Sequence, residues 1–102
     1  MRKILYSPGF GAGWSTWMDV PTKFSCEYAP IISAIERGEK LNDDHPAVIQ
    51  FVADCKELYK ENAYLGGIGD LRIFNVPEGE VYRIEEYDGA ESVQLRSMTE
   101  WY

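Results

Sequence analysis

Residues 7–17 carry the densest run of chemically useful groups in the chain: glycines at 9, 11 and 13, the rings of Phe10, Trp14 and Trp17, and the hydroxyls of Ser15 and Thr16. Glycine lets main-chain N–H groups turn into a concavity and lets a ligand come close to the backbone. Flat apolar faces beside such amides suit a base or another ring. Gly11, Gly13, Trp14, Ser15, Thr16 and Trp17 therefore form a candidate cradle for a nucleotide-like small ligand. The spacing is not that of a P-loop or a dinucleotide fingerprint, because no Lys follows the glycines and no acid stands about 20 residues on in a second strand. The competing reading is structural: the loop turns on its glycines and closes one end of a core with its tryptophans.

A second cluster lies around Asp88-Gly89. Asp-Gly between two alternating runs is a strong hairpin signal, and a two-residue loop there sets Ile84 opposite Val93, Tyr82 opposite Leu95 and Arg83 opposite Gln94. The same register sets Glu86 opposite Glu91, with Glu85 and Asp88 close by. Like charges facing each other across a ladder are destabilising. Both glutamates share the parity of Ile84 and Val93, so they extend the core face. Such a pair calls for a cation, a metal ion, a ligand amine or a shared proton, unless the turn is simply well solvated. Glu86, Asp88 and Glu91 are thus candidates for binding a basic partner or a cation. No nucleophile and base accompany them. The one histidine, His45, abuts Pro46 at a helix start, where capping or exposure fits better than catalysis, so no catalytic residue is assigned and the chain reads as a binder rather than an enzyme.

The elements that must position these groups follow from periodicity. Residues 2–7 read as a short strand stopped by Pro8-Gly9, and 18–29 as irregular, with Pro21 against a regular element. Pro30 suits a helix first turn, Ile31, Ile32, Ala34 and Ile35 follow at helical spacing, and Gly38 can end it. A longer helix is expected over about 45–61, capped by Asp43 or Asp44. Its apolar stripe is Val48, Phe51, Val52, Cys55, Leu58 and Tyr59. After Gly69 the period becomes alternating, giving strands at 71–76, 81–87 and 90–97. A four-residue 77–80 loop would set Ile73 opposite Ile84 and Arg72 opposite Glu85. The expected architecture is a single α+β domain over residues 1–102. It has an antiparallel sheet of about four strands (a three-stranded C-terminal meander plus the N-terminal strand) packed on two helices, with the 45–61 helix covering Ile73, Ile84 and Val93.

Composition narrows function by exclusion. The chain has 102 residues, 45% of them hydrophobic, enough for one core and too few for two. Ten basic residues against 17 acidic ones give a net charge of −7, which opposes binding to a nucleic-acid backbone and favours a basic protein or a cationic ligand. Cys26 and Cys55 form no metal spacing with His45, and no cofactor or metal is expected. No run approaches a membrane span or a secretory signal, so a cytoplasmic setting is expected.

Ser7-Pro8-Gly9-Phe10-Gly11-Ala12-Gly13-Trp14-Ser15-Thr16-Trp17, together with Glu86-Tyr87-Asp88-Gly89-Ala90-Glu91, resembles small uncharacterised accessory proteins of tailed bacteriophages. The resemblance spans these two segments. It implies an accessory protein in the host cytoplasm, acting against a host system, and carries no catalytic residues across. Two binding readings follow, beside a third in which the Glu86 and Glu91 carboxylates serve a small hydrolase or isomerase. One is a non-enzymatic binder that sequesters a nucleotide-like ligand on the glycine and aromatic loop. The other is an acidic protein-binding module that inhibits a host protein through the hairpin end.

Overall fold

The computed structural model describes residues 2–9 and 13–96. Gly11 of the candidate cradle, the neighbouring Phe10, and Ser97 at the end of the last expected strand lie outside the described residues. Four strands, β1 (Arg2–Tyr6), β2 (Arg72–Val76), β3 (Tyr82–Tyr87) and β4 (Ala90–Leu95), accompany a one-turn helix α1 (Thr22–Cys26) and two longer helices, α2 (Ala29–Glu36) and α3 (Pro46–Tyr59). The α+β class and the four antiparallel strands are as expected.

The hairpin β3–β4 has the expected register, with Ile84 opposite Val93, Tyr82 opposite Leu95 and Glu86 opposite Glu91. Asp88 and Gly89 both take positive φ, 52° and 87°, the mirror-image turn whose twist matches a two-residue hairpin. The helices also start and stop on local chemistry. Pro30 sits in the first turn of α2. At its other end the Gly38 N–H donates to the Ile35 carbonyl (2.9 Å) and the Glu39 N–H to the Ala34 carbonyl (3.1 Å), the paired bonds of a glycine C-cap. α3 begins at Pro46, but its cap is His45 rather than Asp43 or Asp44: His45 Nδ1 accepts the Ala47 N–H at 3.1 Å. Pro21 does not break the chain. It stands just before α1, and its carbonyl accepts the Ser25 N–H at 3.2 Å.

Strand pairing differs from the meander. β2 pairs with β1, not with β3, in the register Ile4–Phe74, Leu5–Ile73 and Tyr6–Arg72. The result is two two-stranded sheets, so Ile73 does not face Ile84 and Arg72 does not face Glu85. The reason lies in β1. Ile4 and Leu5 are adjacent, point to opposite faces and are both fully buried. A strand buried on both sides must be a middle layer. Pairing β1 with β2 gives that layer two apolar faces. Leu5 and Ile73 meet the helices, with Phe51, Cys55 and Ile31 in the same cluster. Ile4, Phe74 and Val76 meet Ile84, Val93 and Leu95 of the hairpin. α3 therefore does not cover Ile84 and Val93; sheet β1–β2 does.

The buried stripe of α3 is also narrower than its sequence pattern. Ala47, Val48, Phe51 and Cys55 are buried, whereas Val52, Leu58 and Tyr59 are exposed, Leu58 at 62%. At 100° per residue Val52 falls at the edge of the stripe, whereas Leu58 and Tyr59 stay in line with it but lie in the last turn, past Cys55, the last buried position of the helix. Among the described residues no helix is long and apolar enough to cross a membrane.

Candidate functional site

The two sequence clusters meet at Glu91. Strand parity places residues 91, 93 and 95 of β4 on the inward face, and all three are buried, Glu91 at 3% exposure. Among the described residues its carboxylate has no cation partner. It accepts backbone N–H groups instead: Ser7 at 2.9 Å on Oε1, and Trp14 at 2.8 Å and Thr16 at 3.0 Å on Oε2. The Thr16 hydroxyl adds a bond of 2.6 Å to Oε2, and the Glu91 N–H donates back to the Ser7 carbonyl at 2.8 Å. A buried carboxylate is tolerable only when its lone pairs are filled in this way. The loop amides expected to cradle a ligand anion hold an internal anion.

Glu86 takes a separate course. It is exposed, and its Oε2 accepts the Gly89 N–H at 2.7 Å. The facing glutamates are thus met by two different sets of backbone donors. Asp88 is exposed at the turn.

The aromatic groups of the loop divide as well. Trp14 is fully buried, stacks on Phe51 at 5.0 Å between centroids, and donates Nε1–H to the Ser25 carbonyl at 2.9 Å. Trp17 is 40% exposed and leans on Tyr64 at 5.4 Å. Ser15 is buried beside Cys26, whose thiol burial pushes up to about 12. Cys55 is buried too, with its thiol raised to about 11 by the same cause, and neither is a nucleophile at neutral pH. Gly13 is needed because a Cβ there would stand 2.8 Å from the Trp17 ring. At Gly67 a Cβ would lie 2.5 Å from the Gly13 carbonyl oxygen, so the 67 turn packs directly on the loop backbone. Thr16 is exposed apart from its bonds to Glu91.

His45 is fully engaged. With Nδ1 capping α3, its Nε2–H donates to Glu39 Oε1 at 2.7 Å, and Arg37 Nε donates to the same carboxylate at 2.8 Å. The Arg37 and His45 bonds hold the Glu39 carboxyl down to about 2. The ring has no free nitrogen for general-base work. Among the described residues no group of three or more His, Cys, Asp or Glu is arranged to hold a metal ion.

Open space lies beside the loop rather than on its amides. A cleft of about 540 Å³ separates Pro8-Gly9 from the Gly69–Arg72 stretch, with Tyr6 on its wall. Tyr6 and Arg72 are direct cross-strand partners at the end of sheet β1–β2. Among the described residues the Arg72 guanidinium has no hydrogen-bond or ion-pair partner. Asp70 lines the same stretch, its Oδ2 near enough to Gly9 that a Cβ there would stand 2.9 Å away. Tyr6, Asp70 and Arg72 were not singled out from sequence. The available signal was an arginine opening a strand just after a glycine-rich turn. Compared with protein-family models, curated proteins and solved structures, the chain matches none.

Proposed function

We propose that the chain is a non-enzymatic binding protein for a nucleotide-like small ligand, and that the ligand seats in the cleft between Pro8-Gly9 and Gly69–Arg72. The observation that carries this reading is Arg72, a guanidinium without a partner among the described residues, set across the strands from the Tyr6 ring in a chain of net charge −7. An acidic chain offers such a cation many ways to pair. One held open beside an aromatic face and two glycines suits an anionic group attached to a ring. The cleft volume falls within the roughly 300–1,000 Å³ typical of small-molecule sites. In the setting implied by the phage-like segments, such a protein would act by sequestering its ligand.

Thermal-shift titration against a panel of nucleotides tests it. A ligand at about a hundred times its Kd adds about 2.7 kcal/mol of stability, and in a chain this size that raises Tm by roughly 10–20 °C. Arg72→Ala, at an exposed position, should leave the unliganded Tm within about 2 °C and weaken binding by about tenfold to a hundredfold. No shift with any member of the panel removes the reading.

A second reading, docking of a basic protein on the hairpin end, has its own support. Tyr87 is 78% exposed between Glu86 and Asp88, and exposed tyrosines are frequent anchors in interfaces. Glu91 takes no part in it, being buried. A partner recovered from bacterial lysate at low salt should be lost on Tyr87→Ala and released at about 0.5 M salt, where screening is short-ranged. Recovery that is indifferent to both changes refutes it.

A further inference from the structure

We infer that the cleft selects ring-bearing ligands with a single negative charge and discriminates against polyanions. This rests on the reading of the cleft as a ligand site, and it follows from counting the charges that face that space. Arg72 supplies one positive charge. Asp70, two residues before it on the same stretch, supplies one negative charge, its carboxylate set against Gly9. Other cations on β1 and β3 are committed: Arg2 donates to the Glu80 carbonyl at 2.7 Å, Lys3 pairs with Glu36, and Arg83 donates to Glu85 at 2.7 Å. The wall of the cleft is therefore neutral in sum, within a chain of net charge −7.

A guanidinium binds two oxygens of one anionic group through its fork, which a carboxylate or a phosphodiester satisfies with one charge. A phosphomonoester carries about −1.5 to −2 near neutral pH. Among the described residues its second charge finds no second cation lining the cleft, and it meets Asp70 and the field of the whole chain. The Asp70 carboxylate instead suits a hydrogen-bond donor on the ligand, such as a sugar hydroxyl or a ring amine. Charge count and donor count together point to a small ring compound with one phosphodiester or carboxylate and at least one donor.

The test is calorimetric titration of the whole chain with probes that differ mainly in charge: adenosine, cyclic AMP, AMP and ATP, with indole acetate as the carboxylate arm. The expected order places cyclic AMP or indole acetate about tenfold or more ahead of AMP and ATP, and the better of the two identifies the preferred anion. Adenosine should fall behind as well, for lack of any charge on Arg72. Asp70→Asn should narrow the gap by strengthening AMP and ATP, and added salt should narrow it too. Binding of AMP or ATP as tight as the monoanions, with Asp70→Asn changing nothing, overturns the charge selection while leaving the cleft as a site. No binding by any probe removes the cleft reading and this inference with it.

Discussion

Replacing Glu91, the one buried carboxylate among the described residues, with alanine is expected to lower the melting temperature by roughly 15–30 °C. The substitution removes one side chain but strands the Ser7, Trp14 and Thr16 N–H groups and the Thr16 hydroxyl that it holds. Hydrogen bonds to a charged acceptor are worth about 1.5–3 kcal/mol each, and a buried donor left without a partner costs about 1–3 kcal/mol. These terms overlap because the four donors act as one network, so a total of about 3–5 kcal/mol is expected. That is a large share of the roughly 5–15 kcal/mol that holds a domain of this size together. Each kcal/mol moves Tm by about 4–8 °C in small domains.

Glu91→Gln should fall between the wild type and Glu91→Ala. Its amide oxygen can take the Oε2 place and keep three bonds, while its NH₂ faces the Ser7 N–H and loses the fourth. Glu86→Gln is the control. It sits directly across the ladder, is exposed and holds one turn N–H, so a change within about 1 kcal/mol is expected. Differential scanning calorimetry of the three variants decides the matter. Equal melting temperatures for the Glu86 and Glu91 variants would mean that the carboxylate does not organise the loop.

The second large effect separates the two tryptophans of the glycine and aromatic loop. Trp14→Ala should cost about 3–5 kcal/mol in urea unfolding, because it empties a fully buried site stacked on Phe51 and orphans the Ser25 carbonyl. Trp17→Ala should cost about 1 kcal/mol, since its ring is part-exposed and makes one tilted contact with Tyr64. Fluorescence offers an independent check. Acrylamide should quench Trp17 readily and Trp14 hardly at all, as read from Trp14→Phe and Trp17→Phe in a Trp101→Phe background, where each variant keeps one tryptophan. Trp14 emission that is quenched like free indole, or equal losses for the two alanine variants, would place Trp14 outside the core and restore the loop as a ligand cradle.

These two sites show how the sequence and the tertiary structure divide the information. Parity within the hairpin already put Glu91 on the core-facing side, and the Asp88-Gly89 turn put Glu86 opposite it. What filled Glu91's lone pairs was out of reach, because the Ser7, Trp14 and Thr16 donors lie 75 or more positions away along the chain. The glycine and aromatic loop was legible as unusual for the same local reasons. Its exposed and buried rings were not separable, since Trp14 and Trp17 differ only in which neighbour each meets.

The sequence by itself determined the local pieces: the α2 and α3 spans with their prolines and glycine cap, the hairpin and its register, and the inward parity of Glu91. Turn dihedrals, caps and periodicity are settled within a few residues, so a short window suffices to read them. Only the tertiary structure decided that β2 joins β1, that the hairpin stacks on that sheet while the helices cover its other face, and that Tyr6, Asp70 and Arg72 border one cleft. Those choices follow from competition to bury both faces of Ile4-Leu5 at once, and such a competition involves every apolar surface in the chain rather than any one segment.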